Sequence, residues 1–153
     1  MASAPPWQPP AEFDDYVLVR SLGRGRVGQV YLAEDVVLAR PVAIKFLSVE
    51  AGAAERQRFL LEARAAARLT HPNVVTVHRV GELDERPYLI SEFVRGRTLD
   101  QLERPLPFAR ILEIAVDLAR ALAAAHRAGV LHRDLKPQNA IVADDGKIGR
   151  AHV

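Results

Sequence analysis

His132-Arg133-Asp134-Leu135-Lys136-Pro137-Gln138-Asn139 is the stretch whose residue types and spacing decide the fold. It fits the pattern H-R-D-L-x-x-x-N without a gap. Its members make chemical sense together. Asp134 brings a carboxylate able to accept a hydroxyl proton, and Asn139, further along the loop, brings an amide oxygen able to hold a divalent cation. A polar turn between helices would explain neither the order nor the setting, which is a loop behind a long helical pattern. Ile111, Ile114, Ala115, Leu118, Leu122 and Ala125 recur at helical spacing. They predict a helix closed by Gly129, with His126 and Arg127 in its last turn. After the loop, Ala140-Ile141-Val142 reads as a short strand and Asp144-Asp145-Gly146 as a turn.

Working back from the loop, Gly96 marks a change of regime. Before it lie β-prone runs: Tyr16 to Val19, Val30 to Ala33, Val42 to Ile44, Val74 to Val77 and Tyr88 to Ile90, the last two joined by a turn over Asp84-Glu85-Arg86-Pro87. Between them, Ala54 to Leu69 has helical spacing, with Phe59, Ala63, Ala66 and Ala67 on one face. His71-Pro72-Asn73 stops it.

Gly23-Arg24-Gly25-Arg26-Val27-Gly28-Gln29-Val30 has the form G-x-G-x-x-G-x-V. Glycines there let backbone amides approach phosphate oxygens closely. Alone, the loop reads equally as a hairpin turn. A dinucleotide fingerprint would need a helix to open at once, and Val30-Tyr31-Leu32-Ala33 continues as strand instead. Val42-Ala43-Ile44-Lys45 then points a Lys inward from a strand end. In a chain whose only lysines are Lys45, Lys136 and Lys147, that placement stands out. With the glycine loop upstream, Lys45 is placed to contact α- and β-phosphates, and Glu62 on the following helix to hold it as an ion pair.

Composition narrows the classes. With 49% hydrophobic and 26% charged residues the chain can build a sizeable core, and a formal net charge of +2 is too small for a nucleic-acid-binding face, so nucleic acid is not an expected partner. The absence of Cys excludes disulfides, thiolate metal sites and a Cys nucleophile. His78, His126 and His152 are not spaced as a metal cluster. No apolar run is long enough to span a membrane, and Met1 to Ala11 is Pro-rich without the pattern of a secretory signal.

Taken in order, the glycine loop, Val-Ala-Ile-Lys, helix Glu and His-Arg-Asp loop resemble the protein kinase family. Lys136-Pro137-Gln138-Asn139 resembles its serine/threonine branch, and the Arg- and Ala-rich composition a bacterial member. His71-Pro72-Asn73-Val74-Val75 is similar to the family's exit from helix C, and Ser91-Glu92-Phe93-Val94 to its hinge. The resemblance implies an α+β protein-kinase-like fold: an antiparallel five-stranded sheet with helix C, then the start of a helical lobe. Its implied divisions are a flexible leader over 1–15, an N-lobe and hinge over 16–94, a partial C-lobe over 95–147, and a non-native tail over 148–153. It implies ATP and Mg²⁺ as cofactors and a Ser/Thr-bearing protein as partner. It further implies a cytoplasmic kinase domain, with any membrane anchor lying in sequence outside these residues, and a kinase dimer in a full-length protein.

The resemblance also assigns roles. Asp134 is the base, Lys136 steadies the transferred phosphate and Asn139 is the Mg²⁺ ligand. Gly23, Gly25 and Gly28 cover the phosphates, while Lys45 and Glu62 anchor ATP. Leu22, Val30 and Ala43 surround adenine, Ser91 is the gatekeeper, and the backbone of Glu92 and Val94 binds the adenine edge. His132 packs the loop. An aminoglycoside-type small-molecule kinase would share the Asp and Asn, but the glycine loop, Lys136 and the hinge argue against it. One element departs from the pattern. The family's magnesium-binding Asp-Phe-Gly is absent after Asn139, where the chain reads Ile148-Gly149-Arg150-Ala151-His152-Val153, a hexapeptide resembling translated adapter sequence. The 153 residues alone are therefore expected to transfer little or no phosphate, and a nucleotide- or partner-binding module without catalysis is the alternative.

Overall fold

The computed structural model describes residues 7–25, 28–48, 51–131, 135–145 and 150–151. Six strands form an antiparallel sheet in the order β1-β2-β3-β4-β6-β5: β1 Glu12–Phe13, β2 Tyr16–Arg24, β3 Gly28–Asp35, β4 Arg40–Leu47, β5 Val77–Leu83 and β6 Arg86–Glu92. Helix α1, Ala53–Ala66, lies between β4 and β5 in sequence. Beyond β6 come β7 Gly96–Thr98, helix α2 Phe108–Arg127, β8 Ala140–Ala143 and β9 Arg150–Ala151; β7, β8 and β9 make a second small sheet.

Strand alternation organises the first lobe. On β4, Val42, Ile44 and Phe46 enter a core that also takes Phe13, Tyr16, Ala33, Tyr88 and Ile90, so Ala43 and Lys45 are left for the opposite face. On β6, Tyr88 and Ile90 stand opposite Phe46 and Ile44, while Leu89 and Ser91 stand opposite Lys45 and Ala43. The paired strands thus offer one apolar face and one face of mixed chemistry. Two register shifts in β2, between Leu18 and Arg20 and between Ser21 and Gly23, bend that strand.

The leader expected over 1–15 is corrected from Trp7 onward, and the expected five-stranded sheet gains β1. Trp7 packs edge-on against Phe46 with ring centroids 5.4 Å apart, and the Arg86 guanidinium lies 4.1 Å above its ring. Phe13 is buried and meets Phe46 and Tyr88 edge-on. Burying two large aromatic side chains outweighs ordering a short, Pro-rich segment whose unfolded form is already restricted. Asp14 turns the chain in the left-handed region at φ 47°, which Asp tolerates. Its Oδ2 accepts a hydrogen bond from the Tyr88 hydroxyl and pairs with Arg79, each at 3.2 Å. Burial, opposed by Arg79 and reinforced by Asp14, holds the Tyr88 hydroxyl above its ordinary pKa.

Two further boundaries moved. The run Val74 to Val77 gives a strand only from Val77, because Val74 and Val75 are drawn into the core instead. The turn over Asp84–Pro87 takes only Asp84 and Glu85, both at positive φ, and pairing resumes with Arg86 opposite Leu83. Helix α1 buries Phe59, Ala63 and Ala66, close to the predicted face. Helix α2 ends as predicted. Gly129 sits at φ 75°, the Val130 amide donates to the Ala125 carbonyl and the Gly129 amide to that of His126, the two bonds of a Schellman cap. Val130 then joins Ala125, Ala121, Leu69 and Val74 in a cluster that ties α2 to the end of α1. The outer side of α2 leaves Phe108, Ile111, Leu112 and Val116 exposed.

His78 is the extra residue where the β5–β6 register shifts between Val77 and Arg79. Burial, aided by Arg40 and opposed by Glu92 and Asp35, lowers its pKa from 6.5. The unfolded chain therefore binds the proton at higher pH than the folded chain. Stability is expected to be fully present above pH 6.5 and to decline as pH falls from there through the lowered value. Denaturant unfolding between pH 8 and 5 should show this decline, and His78→Gln should flatten it. An equally steep decline in the variant would assign the effect elsewhere.

Candidate functional site

The mixed face of β4 and β6 opens into a cleft of about 490 Å³ between the two sheets, a volume suited to a small molecule. The first lobe contributes Leu22 and Gly23 from β2, Val30 from β3, and Ala43 and Lys45 from β4. Glu92 and Val94, at the passage from β6 to β7, also line it, and Asn139 reaches it from the 3₁₀ turn Pro137–Asn139 that precedes β8. Eight residues singled out in the sequence are thus brought to one cavity. Ser91, also singled out, is a ninth: it lines the cleft although only 4% exposed.

The glycines divide. A Cβ at Gly23 or Gly25 would meet nothing within 4 Å, so their bare backbone faces open space. Gly28 is buried, and a Cβ there would collide with the Phe46 carbonyl; its lack of a side chain serves the contact of β3 with β4. Gly25 and Gly28 are not among the lining residues, although the Gly25 amide donates to the Gly28 carbonyl at 2.9 Å and closes the hairpin.

Two other expected residues, Lys136 and Glu62, do not line the cavity. Lys136 is exposed, extended in backbone, and its carbonyl accepts the Asn139 amide at 2.9 Å. Glu62 is exposed on α1, and among the described residues no ion pair joins it to Lys45. Asp134, with His132 and Arg133, lies outside the described residues.

Several lining residues were not singled out by sequence reasoning: Leu89 on β6, Arg20 on β2, and Thr98, Gln101, Gln138 and Ile141 beyond the hinge. Leu89 could have been found by strand periodicity, being two residues from Ser91. Thr98 and Gln101 carry the signature of a capping box, with the Gln101 side chain accepting the Thr98 amide at 3.2 Å. Arg20 has no sequence signal beyond its place two residues before Leu22.

The chemistry of the lining fits a magnesium nucleotide. Ala43, Val30 and Leu22 give an apolar slot, Lys45 a compact cation for phosphate, and Asn139 a hard oxygen donor. Among the described residues no group of three or more His, Cys, Asp or Glu is placed to hold a metal unaided. No helix among the described residues is long and apolar enough to cross a membrane.

Comparison with known proteins agrees with this geometry. The family model for the protein kinase domain matches residues 16–149. A probable serine/threonine-protein kinase PknB from Lactococcus lactis is 40% identical over 141 residues, covering 88% of this chain and 22% of that protein. The serine/threonine-protein kinase PknH of Mycobacterium tuberculosis is 42% identical over 138 residues, 87% of this chain and 22% of its own length. The chain therefore spans about a fifth of the length of these relatives. Among solved structures, the PknI kinase domain of Mycobacterium tuberculosis superposes with a TM-score of 0.79 at 33% identity, over 92% of this chain and 60% of that one. With the motifs in their expected order and most of their side chains around one cleft, the chain belongs to the protein kinase domain family, and its similarities lie among bacterial serine/threonine kinases.

Proposed function

We propose that these residues form the nucleotide-binding part of an enzyme that moves the γ-phosphoryl group of MgATP to a serine or threonine hydroxyl of a protein. The observation that supports this most is the meeting of Lys45, Asn139 and the Glu92–Val94 hinge in one cleft. In this reading Lys45 neutralises phosphate charge, and the exposed glycine backbone admits phosphate oxygens without steric conflict. The apolar side chains of Leu22, Val30 and Ala43 take the base, while Glu92 and Val94 offer backbone groups to its edge. Mg²⁺, when bound, supplies charge neutralisation to the phosphates, and Asn139 is the residue that would hold it. Asp134 accepts the hydroxyl proton and Lys136 steadies the group in transfer. The partner is a protein bearing Ser or Thr, and the kinase domain works in the cytoplasm.

Calorimetric titration with ADP and Mg²⁺ tests the cleft. Lys45→Met is expected to weaken binding by about tenfold, the loss of one charge-assisted contact. Equal affinity of wild type and Lys45→Met would remove Lys45 from phosphate binding. Transfer is tested apart from binding: a polypeptide carrying these residues together with an Asp-Phe-Gly segment is expected to phosphorylate a serine peptide, and ADP binding without phosphorylation would overturn the transfer step.

A further inference from the structure

Glu92 closes β6 at the point where the chain leaves the sheet, and its side chain makes a bond that the strand register does not supply. The β5–β6 ladder runs from Leu83 opposite Arg86 to Arg79 opposite Ile90, then slips at His78 so that Val77 stands opposite Ser91. Thr76, just before β5, follows the slip. Its carbonyl accepts the Glu92 amide at 2.9 Å, and its amide donates to Glu92 Oε1, also at 2.9 Å. One residue thus serves both backbone groups of Thr76, with its own amide and with its carboxylate. A part-buried amide left without that acceptor would carry its desolvation cost unmet.

We infer that the Glu92 carboxylate is a positioning residue for nucleotide binding: by holding the Thr76 amide it fixes the backbone of residues 92–94 against the wall of the cleft. The inference rests on the nucleotide reading above and adds to it a role for this side chain, since Glu92 and Val94 there act only through their backbone. The two bonds lie on different atoms of Glu92, so together they restrain rotation of the strand end, which either bond alone would permit. Phe93, Val94 and Gly96, the next lining residues along the chain, inherit that orientation. The requirement is for an acceptor oxygen at glutamate length. A glutamine keeps that oxygen, an aspartate draws it back by one methylene, and alanine removes it.

The test is ADP titration of the 153-residue chain and three variants, with amide exchange at Thr76 and the unfolding midpoint followed in parallel. Glu92→Ala and Glu92→Asp are expected to bind ADP about tenfold more weakly and to lose protection at Thr76, whereas Glu92→Gln should recover most of both. If Glu92→Ala does not fold, the contrast between Gln and Asp decides alone. Loss in Glu92→Gln equal to that in Glu92→Asp, or undiminished binding in Glu92→Asp, overturns the positioning role. A wild-type chain that binds no ADP overturns the nucleotide reading, and this role with it. A fall in unfolding midpoint with unchanged ADP affinity would mark Glu92 as merely structural, and so also counts against the inference.

Discussion

Asp134→Asn, in a polypeptide carrying these residues together with an Asp-Phe-Gly segment, is expected to slow phosphorylation of a serine peptide on the order of a thousandfold while leaving ADP affinity unchanged. The magnitude is that of a general base removed from proton transfer. The selectivity follows from where the groups proposed to contact nucleotide lie. Lys45, Ala43 and Val30 belong to the sheet of the first lobe and the hinge leads out of its strand β6, and the asparagine amide is nearly isosteric with the carboxylate it replaces. Single-turnover rates at saturating MgATP, measured beside ADP titrations, separate the two quantities. Full activity in the variant would show that Asp134 is not the base, and a parallel loss of ADP affinity would show that the loop shapes the nucleotide site instead.

Phe46→Ala should destabilise the fold by about 4 kcal/mol, the usual cost of emptying a buried aromatic position. The side chain is 1% exposed and meets four rings, Trp7, Phe13, Tyr31 and Tyr88, at centroid distances of 5.4, 5.6, 6.1 and 5.9 Å. None of these four rings can move into the space without leaving its edge-on contact. Denaturant unfolding followed by circular dichroism gives the value, with Leu61→Ala, at a residue 59% exposed, as a control expected to change little. A loss below about 1.5 kcal/mol would mean that the ring cluster repacks.

Much of this was legible in the chain. Val42-Ala43-Ile44-Lys45 reads as a strand with Lys45 pointing inward, and β4 has Val42, Ile44 and Phe46 in the core and Lys45 lining the cleft. Helix α2 was readable at its C-terminus because Gly129 supplies a backbone conformation other residues avoid. The docking of Trp7 and Phe13 was not. Proline-rich composition suggests an extended leader, and nothing local reveals that two of its side chains have aromatic partners on β4 and β6. The start of β5 was misplaced for a related reason: Val74 and Val75 have strand propensity, but burial against α2 claims Val74 first. The Lys45–Glu62 pair follows from motif spacing, yet spacing does not fix the rotation and tilt of α1, and in this conformation Glu62 faces solvent. Thr76 and Glu92 lie far apart in the chain, so their double bond has no local signature.

Because the family match opens at Tyr16 whereas the packing of the lobe already includes Trp7, the two make different recommendations for trimming the protein. A polypeptide begun at Tyr16 would keep every motif and lose the two aromatic side chains that cover one flank of Phe46 and Tyr88. Its uncovered rings would favour self-association during expression. Fusion partners and purification tags at this end are better placed upstream of Trp7, with a linker, than directly against strand β2.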